Sequence, residues 1–538
     1  MTRRSGDAST RSPAVSLSRA KKTQQRQKQL KIIPYCPDAP QRKTSRRNEC
    51  ENSTQTASEA PEDTTVAKAI PPRLERIPSS RSWDPFNALA VLYVSKAERF
   101  ILNYVWGDKV TGTNKFAQAW MWRSMESSAA FYSQIVGAAA HYEISRRGTP
   151  ITSTELADVR LQSKAKAMER LRREISQYHS SSATVSFESL FMAIFTLAVH
   201  DNVDLSSPNE AHPLSQLAKL RDMQVYGRVV LGDEHMNAMY RLLEEKGGLS
   251  AIDAVAFGNV VPLLDMVYAA RKQTAPRLPC FRTLRRLRVP TVWVPDERAG
   301  ELLGILGSSF REDTGRESSS ALPLDDKFRV ILGVLAEVTA ALDHSQRLGT
   351  GVFRDPQIFV GNCDWVSHSL LSVPSYLTSD DGESSKGPKE SVIESVIEGT
   401  SPISASLDTV LCEICRLGAL LYIDMVIYPT PPQAGVKNRL SKKLFPLLQS
   451  LEEITLWEEE VAGLVLWAAI MGAIAARYTE LQDTYTEYIA QNCMTGSRSW
   501  EDIEPRLQSF FWFNAVFDGS AQQIWREAQG IATTPDHV

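Results

Sequence analysis

Residues 235–249 read HMNAMYRLLEEKGGL, and this stretch decides the fold class. Apolar and polar residues recur over 235–246 with the spacing of an amphipathic α-helix. Gly247 and Gly248 follow at once, and a glycine directly after the last turn commonly ends a helix because it adopts the left-handed conformation without strain. The stretch therefore predicts an amphipathic helix with a defined end.

The same three- and four-residue spacing returns along most of the chain. It predicts helices over residues 155–178, 190–200, 235–246, 251–271 (kinked or split by Pro262), 328–342, 406–428, 440–454, 456–477, 479–492, 500–513 and 519–528. Alternating strand patterns are nearly absent, and the short candidate at residues 289–294 contains Pro290. We therefore predict an all-α, multi-helix domain over residues 81–530.

Several segments depart from the helical pattern. Residues 308–322 and 377–402 are rich in Ser, Gly and charged side chains, which is typical of flexible loops. Residues 531–538 form a short predicted tail. Residues 1–80 are polar, with few aromatic residues, and cannot bury enough apolar surface to offset the loss of chain entropy. We predict that they form a disordered arm.

The arm is strongly basic. Its first 50 residues hold thirteen Lys and Arg against three Asp and Glu, a net charge of +10, and the chain total of −3 leaves −13 for the rest. Such asymmetry indicates a polyanion or an import receptor as partner. The residues expected to form a nuclear-import signal or to contact the DNA backbone are Lys21, Lys22, Arg26, Lys28, Lys31, Arg42, Lys43, Arg46 and Arg47. A solvated tail without a specific partner is the third interpretation.

The composition fits a soluble protein of a reducing compartment. Hydrophobic residues make up 43% and charged residues 23%, and seven scattered cysteines do not form a disulfide framework. The N-terminus has no apolar stretch behind its charges, so no secretory signal is expected. Residues 411–428 and 461–475 are apolar, but charges interrupt the first, and the second spans about 22 Å against a ~30 Å hydrocarbon core. We interpret both as buried helices and expect no membrane association.

The sequence offers little support for catalysis or cofactor binding. It contains no P-loop, no HExxH and no GxSxG motif. Cys412 and Cys415 have C-x-x-C spacing but lie in an apolar helical run without a second pair, so we interpret them as packing residues. Gly349-Thr350-Gly351 begins like a dinucleotide loop, but no strand precedes it. We therefore predict a protein that is not an enzyme and holds no cofactor or metal.

The eight histidines are isolated from one another in the sequence. His235 is interpreted as a helix-start or packing residue. His200-Asp201 could carry acid–base chemistry, but an apolar helix that ends in a polar turn explains the pair equally well.

One set of residues carries a family resemblance. Its main part is residues 235–249, with a histidine, an amphipathic helix and a closing Gly-Gly-Leu. Shorter pieces on both sides of it occur in the same order as in the family: residues 83–86, residues 166–172, Trp467 with Gly472, Phe511-Trp512 and Trp525. Together, residues 83–530 resemble the fungal-specific transcription factor domain, the helical regulatory body behind a binuclear zinc cluster in regulators of filamentous fungi.

The resemblance has one departure. The family's zinc cluster needs six cysteines in two close triplets, whereas the first 80 residues contain only Cys36 and Cys50. The resemblance therefore implies a nuclear, non-catalytic regulator of transcription without its own DNA-binding module. It would act through protein partners of the transcription machinery, with weak, non-specific nucleic-acid contact and a small-molecule effector as further expectations. The alternative is a cytoplasmic helical adaptor with no role in transcription, and the oligomeric state is left open.

Overall fold

A computed structural model describes most of the predicted helical domain. The described residues are Leu102, Trp106, 114–145, 153–178, 185–200, 202–203, 215–220, 228–311, 322–377, 406–430, 434–452, 459–494 and 499–533. The predicted arm (1–80), residues 312–321 and 378–402 of the predicted loops, and the tail beyond 533 lie outside them. Over the described ranges the protein is all-α, as predicted, apart from one pair of two-residue strands.

The first part of the domain carries seven helices among its described residues. They are α1 (Lys115–Met125), α2 (Ser128–Ser145), α3 (Ser153–Tyr178), α4 (Phe187–His200), α5 (Leu217–Leu220), α6 (Asp233–Lys246) and α7 (Val260–Lys272). Strands β1 (Asn202–Val203) and β2 (Val229–Val230) pair antiparallel, with Asn202 opposite Val230.

The second part continues with longer helices. They are α8 (Glu297–Ile305), α9 (Asp326–Leu348), α10 (Pro356–Leu371), α11 (Leu407–Tyr422), α12 (Val436–Gln449), α13 (Glu459–Ala475), α14 (Glu480–Asn492), α15 (Trp500–Ser509) and α16 (Asn514–Ala532). A π-helical turn, Ile423–Ile427, extends α11. Helix α16 runs to Ala532, beyond the predicted end of the domain at 530.

The opening prediction is confirmed at α6. Gly247 adopts a φ of 98°, in the left-handed region. Its N–H donates to the Glu244 carbonyl at 3.1 Å, and the Gly248 N–H donates to the Leu243 carbonyl at 2.7 Å. These bonds satisfy carbonyls that the last helical turn leaves open, which is why the helix ends there.

The prediction of a helix over 251–271, kinked or split by Pro262, was wrong for its first part. Asp253 Oδ1 accepts from the N–H groups of Val255 and Ala256, at 2.9 and 3.2 Å, and holds this stretch in turns. Helix α7 begins only at Val260, so Pro262 lies in its first turn, where a missing N–H costs nothing.

The short strand candidate at 289–294, which Pro290 argued against, does not form a strand. Its backbone turns, since the N–H groups of Val292 and Trp293 both donate to the Val289 carbonyl, at 2.7 and 3.0 Å. Trp293 forms only an isolated bridge with Phe353. Sequence spacing also missed α8 and α10, whose starts are capped by the side chains of Asp296 and Asp355.

Two further observed boundaries differ from the predicted ones, because aromatic side chains at these positions pack into the core. Residues 510–513 (FFWF) separate α15 from α16 and are all buried, so the predicted helix 500–513 ends early. Phe310 lies in a 3-10 turn, Ser308–Phe310, within the predicted loop 308–322. Its ring packs 5.1 Å from that of Phe510 and 5.3 Å from that of Phe511, which orders the start of this loop.

The buried apolar residues form two clusters. The N-terminal core contains buried residues between Leu102 and Leu264, and the C-terminal core contains buried residues between Leu217 and Ala528. Helices α11 and α13 lie in the C-terminal core, in agreement with their interpretation as buried helices. Among the described helices, none combines the length and the apolar character that crossing a membrane requires.

Candidate functional site

The predicted arm residues have no described geometry. Outside the described ranges lie Lys21, Lys22, Arg26, Lys28, Lys31, Arg42, Lys43, Arg46 and Arg47. The helical body, by contrast, contains a cavity in which polar groups converge inside an apolar wall.

This cavity lies at the seam between the two cores and has a volume of about 160 Å³. Most of its wall comes from α1, α2, α4 and α7 of the N-terminal core, and Tyr428 contributes from the C-terminal core. Aromatic and aliphatic side chains form most of the lining, including Phe116, Trp120, Phe195 and Leu264. A cavity of roughly 150 Å³ in another protein binds benzene, so this volume suits a small ring compound.

Gln134 of α2 is the first polar group in the wall. The Trp120 indole N–H donates to Gln134 Oε1 at 2.9 Å, and Gln134 Nε2 donates to the Thr196 hydroxyl at 2.8 Å. All three side chains are buried. The bonds fix the amide and tie α1, α2 and α4 together, so one side of the cavity has a rigid shape.

His200, the last residue of α4, is the second polar group in the cavity wall. Its Nδ1 lies 3.1 Å from the Thr196 carbonyl oxygen, and because a carbonyl can only accept, Nδ1 carries the proton. A Cβ placed on Gly137 of α2 would lie 3.2 Å from Nδ1, so the glycine allows α2 to approach the imidazole. The His141 ring lies 5.2 Å from the His200 ring, between centroids.

Burial keeps His200 neutral. It lowers the pKa of His200 from 6.5 to about 4, and the hydrogen bond to the Thr196 carbonyl offsets this only in part. The described lining contains no Asp, Glu, Lys or Arg. The cavity is therefore suited to an uncharged molecule that is mainly apolar and carries one hydrogen-bonding group.

Tyr428 connects the cavity wall to the C-terminal core. Its hydroxyl donates to Asp364 Oδ1 at 2.6 Å, and Arg282 Nε donates to Asp364 Oδ2 at 3.2 Å. Both Tyr428 and Asp364 are buried, so these bonds form in a medium of low polarity and hold the ring firmly. A change in the cavity that moves Tyr428 would disturb α10 through Asp364.

A buried ion pair lies beside this link. Lys437 Nζ is 3.3 Å from Asp424 Oδ2 in the π-helical turn, and the Thr430 hydroxyl donates to Asp424 Oδ1 at 2.6 Å. Burial raises the pKa of Asp424 and lowers the pKa of Lys437, against the attraction of the pair. Arg271 of α7, whose positive charge interacts with Asp424, donates to the carbonyl of Val229, a cavity residue.

Other candidates from the sequence do not form sites. Burial raises the pKa of Cys415 well above its usual range and that of Cys412 to about 11, and Cys412 Sγ donates to the Pro323 carbonyl, which agrees with a packing role. Gly349 and Thr350 follow helix α9 rather than a strand. Asp201 lies outside the described residues. Among the residues that the structure describes, no three His, Cys, Asp or Glu side chains are grouped to hold a metal ion.

Sequence reasoning missed the cavity. Phe195 and Leu264 have the same helical spacing as core residues, so nothing in the sequence separates a wall from a filled interior. The usable signals were Gln134, a polar residue in an alanine-rich apolar helix, and Gly137, one turn after it.

Comparison of the chain with family models, with curated proteins and with solved structures gives no match.

Proposed function

We propose that this protein is a nuclear regulator of transcription that acts without catalysis, through a helical body that recruits protein partners. The observation that carries the proposal is the charge asymmetry of the chain, +10 in its first 50 residues against −13 in the rest. A basic segment joined to an all-α body suits an import receptor and, secondarily, weak contact with nucleic-acid phosphates. The resemblance of residues 83–530 to the fungal-specific transcription factor domain supports the same function.

The cavity supports control by a small effector. Its described lining contains no Asp, Glu, Lys or Arg, the imidazole of His200 is neutral, and the Tyr428 hydroxyl connects the wall to Asp364 of α10. A ligand that binds one arrangement of Tyr428 better than another would shift the population of the helical body towards the arrangement that it binds. The effector proposed is a neutral compound with one ring and one hydroxyl or amide group.

Localisation of a fluorescent fusion tests the nuclear assignment. The intact chain is compared in a fungal host with a variant lacking residues 1–50 and with a variant in which the nine arm residues named above are changed to Gln. Nuclear signal that is lost in both variants is the expected result. Cytosolic signal from the intact chain would contradict the proposal and favour a cytoplasmic adaptor.

Ligand binding tests the effector. Benzyl alcohol and benzoate have similar size and differ in charge, so saturation-transfer NMR at pH 7 should detect the alcohol and not the anion. Ala138→Leu places a larger side chain in the cavity and should abolish the signal. Equal signals from both compounds, or an unchanged signal in a folded Ala138→Leu variant, would contradict the effector proposal.

A further inference from the structure

A second concave surface lies on the outside of α9 and shares no lining residue with the cavity. This groove has a volume of about 480 Å³. Its floor is aliphatic, with Val330, Gly333 and Val334 of α9, Leu303 of α8 and Leu284. Val330 is 55% exposed and Leu284 is 37% exposed. The α9 residues recur at i, i+3 and i+4, so an apolar stripe occupies a helix face where polar residues would be expected.

Gly333 deepens the groove without serving internal packing. A Cβ placed on it would meet no atom within 4 Å. A glycine inside a helix costs about 0.5–1 kcal/mol relative to alanine. By contrast, a Cβ on Gly418 of α11 would lie 2.3 Å from the Trp467 ring, so that glycine is required by a neighbour. Gly333 therefore leaves open a trough in which another chain can approach the α9 backbone.

The rim of the groove is basic. Among the residues that the structure describes, four arginines line it against one carboxylate: Arg285, Arg286, Arg288, Arg311 and Glu337. Arg288 Nε donates to Glu337 at 3.0 Å, and Arg311 Nη2 donates to backbone carbonyls of Leu303 and Leu306, at 2.8 and 3.0 Å. The side chains of Arg288 and Arg311 are thus held in place beside an apolar floor.

We propose that this groove docks an amphipathic helix of a partner protein, with apolar side chains on the floor and Asp or Glu beside the arginines. Helix-in-groove recognition combines an apolar ridge with flanking charges, which is the pattern of this surface. A nucleic acid would satisfy the arginines but would leave the floor unfilled, because aliphatic side chains do not provide the flat aromatic faces on which bases stack. The charge and the floor together favour an acidic peptide.

The backbone of the rim is pre-organised for docking. Asn362 of α10 bonds both backbone groups of Arg285, accepting from its N–H at 3.2 Å and donating to its carbonyl at 2.8 Å. The segment that carries three of the four arginines is therefore fixed before any partner binds. Binding to a fixed rim loses less conformational entropy than binding to a loop that must first be ordered.

Fluorescence anisotropy on the full chain tests the proposal. The probe is a fluorescein-labelled helical peptide with Leu at i, i+3, i+4 and i+7 and Glu at the flanking positions, and a second peptide has Gln in place of Glu. We expect the acidic peptide to bind more tightly than the Gln peptide. Arg286→Glu and Gly333→Leu should each weaken its binding by about tenfold or more. Arg354→Glu, an exposed arginine outside the groove, should leave binding unchanged.

Three results would overturn the proposal. The first is unchanged binding in Arg286→Glu and Gly333→Leu variants that show the wild-type unfolding transition. The second is tighter binding of single-stranded DNA than of the acidic peptide, lost in the same variants, which would assign the groove to nucleic acid. The third is peptide binding that appears only when residues 388–399 are deleted, since the sequence ESVIESVIE at 390–398 has the same chemistry and would then be the occupant.

Discussion

Protonation of His200 provides a quantitative test of the cavity's electrostatics. Burial lowers the pKa of His200 in the folded protein to about 4, whereas the unfolded chain has the ordinary value of 6.5. Between these values the unfolded state binds a proton that the folded state does not. The free energy of unfolding is therefore unaffected above pH 6.5 and falls as the pH drops from 6.5 towards 4. Each pKa unit corresponds to about 1.4 kcal/mol, which gives a loss of about 2 kcal/mol by pH 5 and about 3 kcal/mol by pH 4.

Urea unfolding at pH 7, 6 and 5 measures this loss. All titrating groups contribute to the pH dependence, so the informative quantity is the difference between wild type and variants that cannot be protonated at this position. His200→Gln and His200→Met differ in packing and hydrogen bonding, and their stabilities at pH 7 should differ. Both should nevertheless lose about 2 kcal/mol less than wild type between pH 7 and pH 5. A pH dependence that matches wild type in both variants would refute the assignment of a neutral, buried His200.

Two further predictions concern packing and the link to the cavity. Gly418→Ala places a methyl group 2.3 Å from the Trp467 ring and should lower the free energy of unfolding by about 1–3 kcal/mol, while Gly333→Ala should raise it by about 0.5–1 kcal/mol. Chemical denaturation of both variants checks this pair, and a stability gain in both would contradict the packing of α11 on α13. Tyr428→Phe removes a bond to the buried carboxylate of Asp364 and should cost about 1–3 kcal/mol. A stability equal to wild type would show that Tyr428 does not connect the cavity to α10.

The helical class was predictable because the spacing of apolar residues reports directly on the face that a helix buries. Helix α6 and its glycine end follow from local chemistry alone. The start of helix α7 does not follow from local spacing, because the side chain of Asp253 accepts hydrogen bonds from backbone N–H groups and the helix begins only at Val260. Local spacing also cannot show which residues that are distant in sequence are in contact in the fold, such as Phe310 and Phe510.

The candidate sites were harder to predict than the fold. A cavity is a volume that neighbouring helices fail to fill, and the identity of Phe195 or Leu264 carries no information about that volume. The basic groove had a sequence signal in the arginines at 285, 286 and 288. However, their position beside the aliphatic face of α9 depends on Asn362, which is 77 residues away from Arg285 in the chain.

A tethered reporter assay tests the central proposal most directly. The full chain is joined to a heterologous DNA-binding domain and placed at a reporter promoter in a fungal host, beside the DNA-binding domain alone. We predict that the full chain changes reporter transcription several-fold and that Ala138→Leu alters this response at equal protein level. Reporter transcription equal to that of the DNA-binding domain alone, with the fusion present in the nucleus, would contradict a role in transcription.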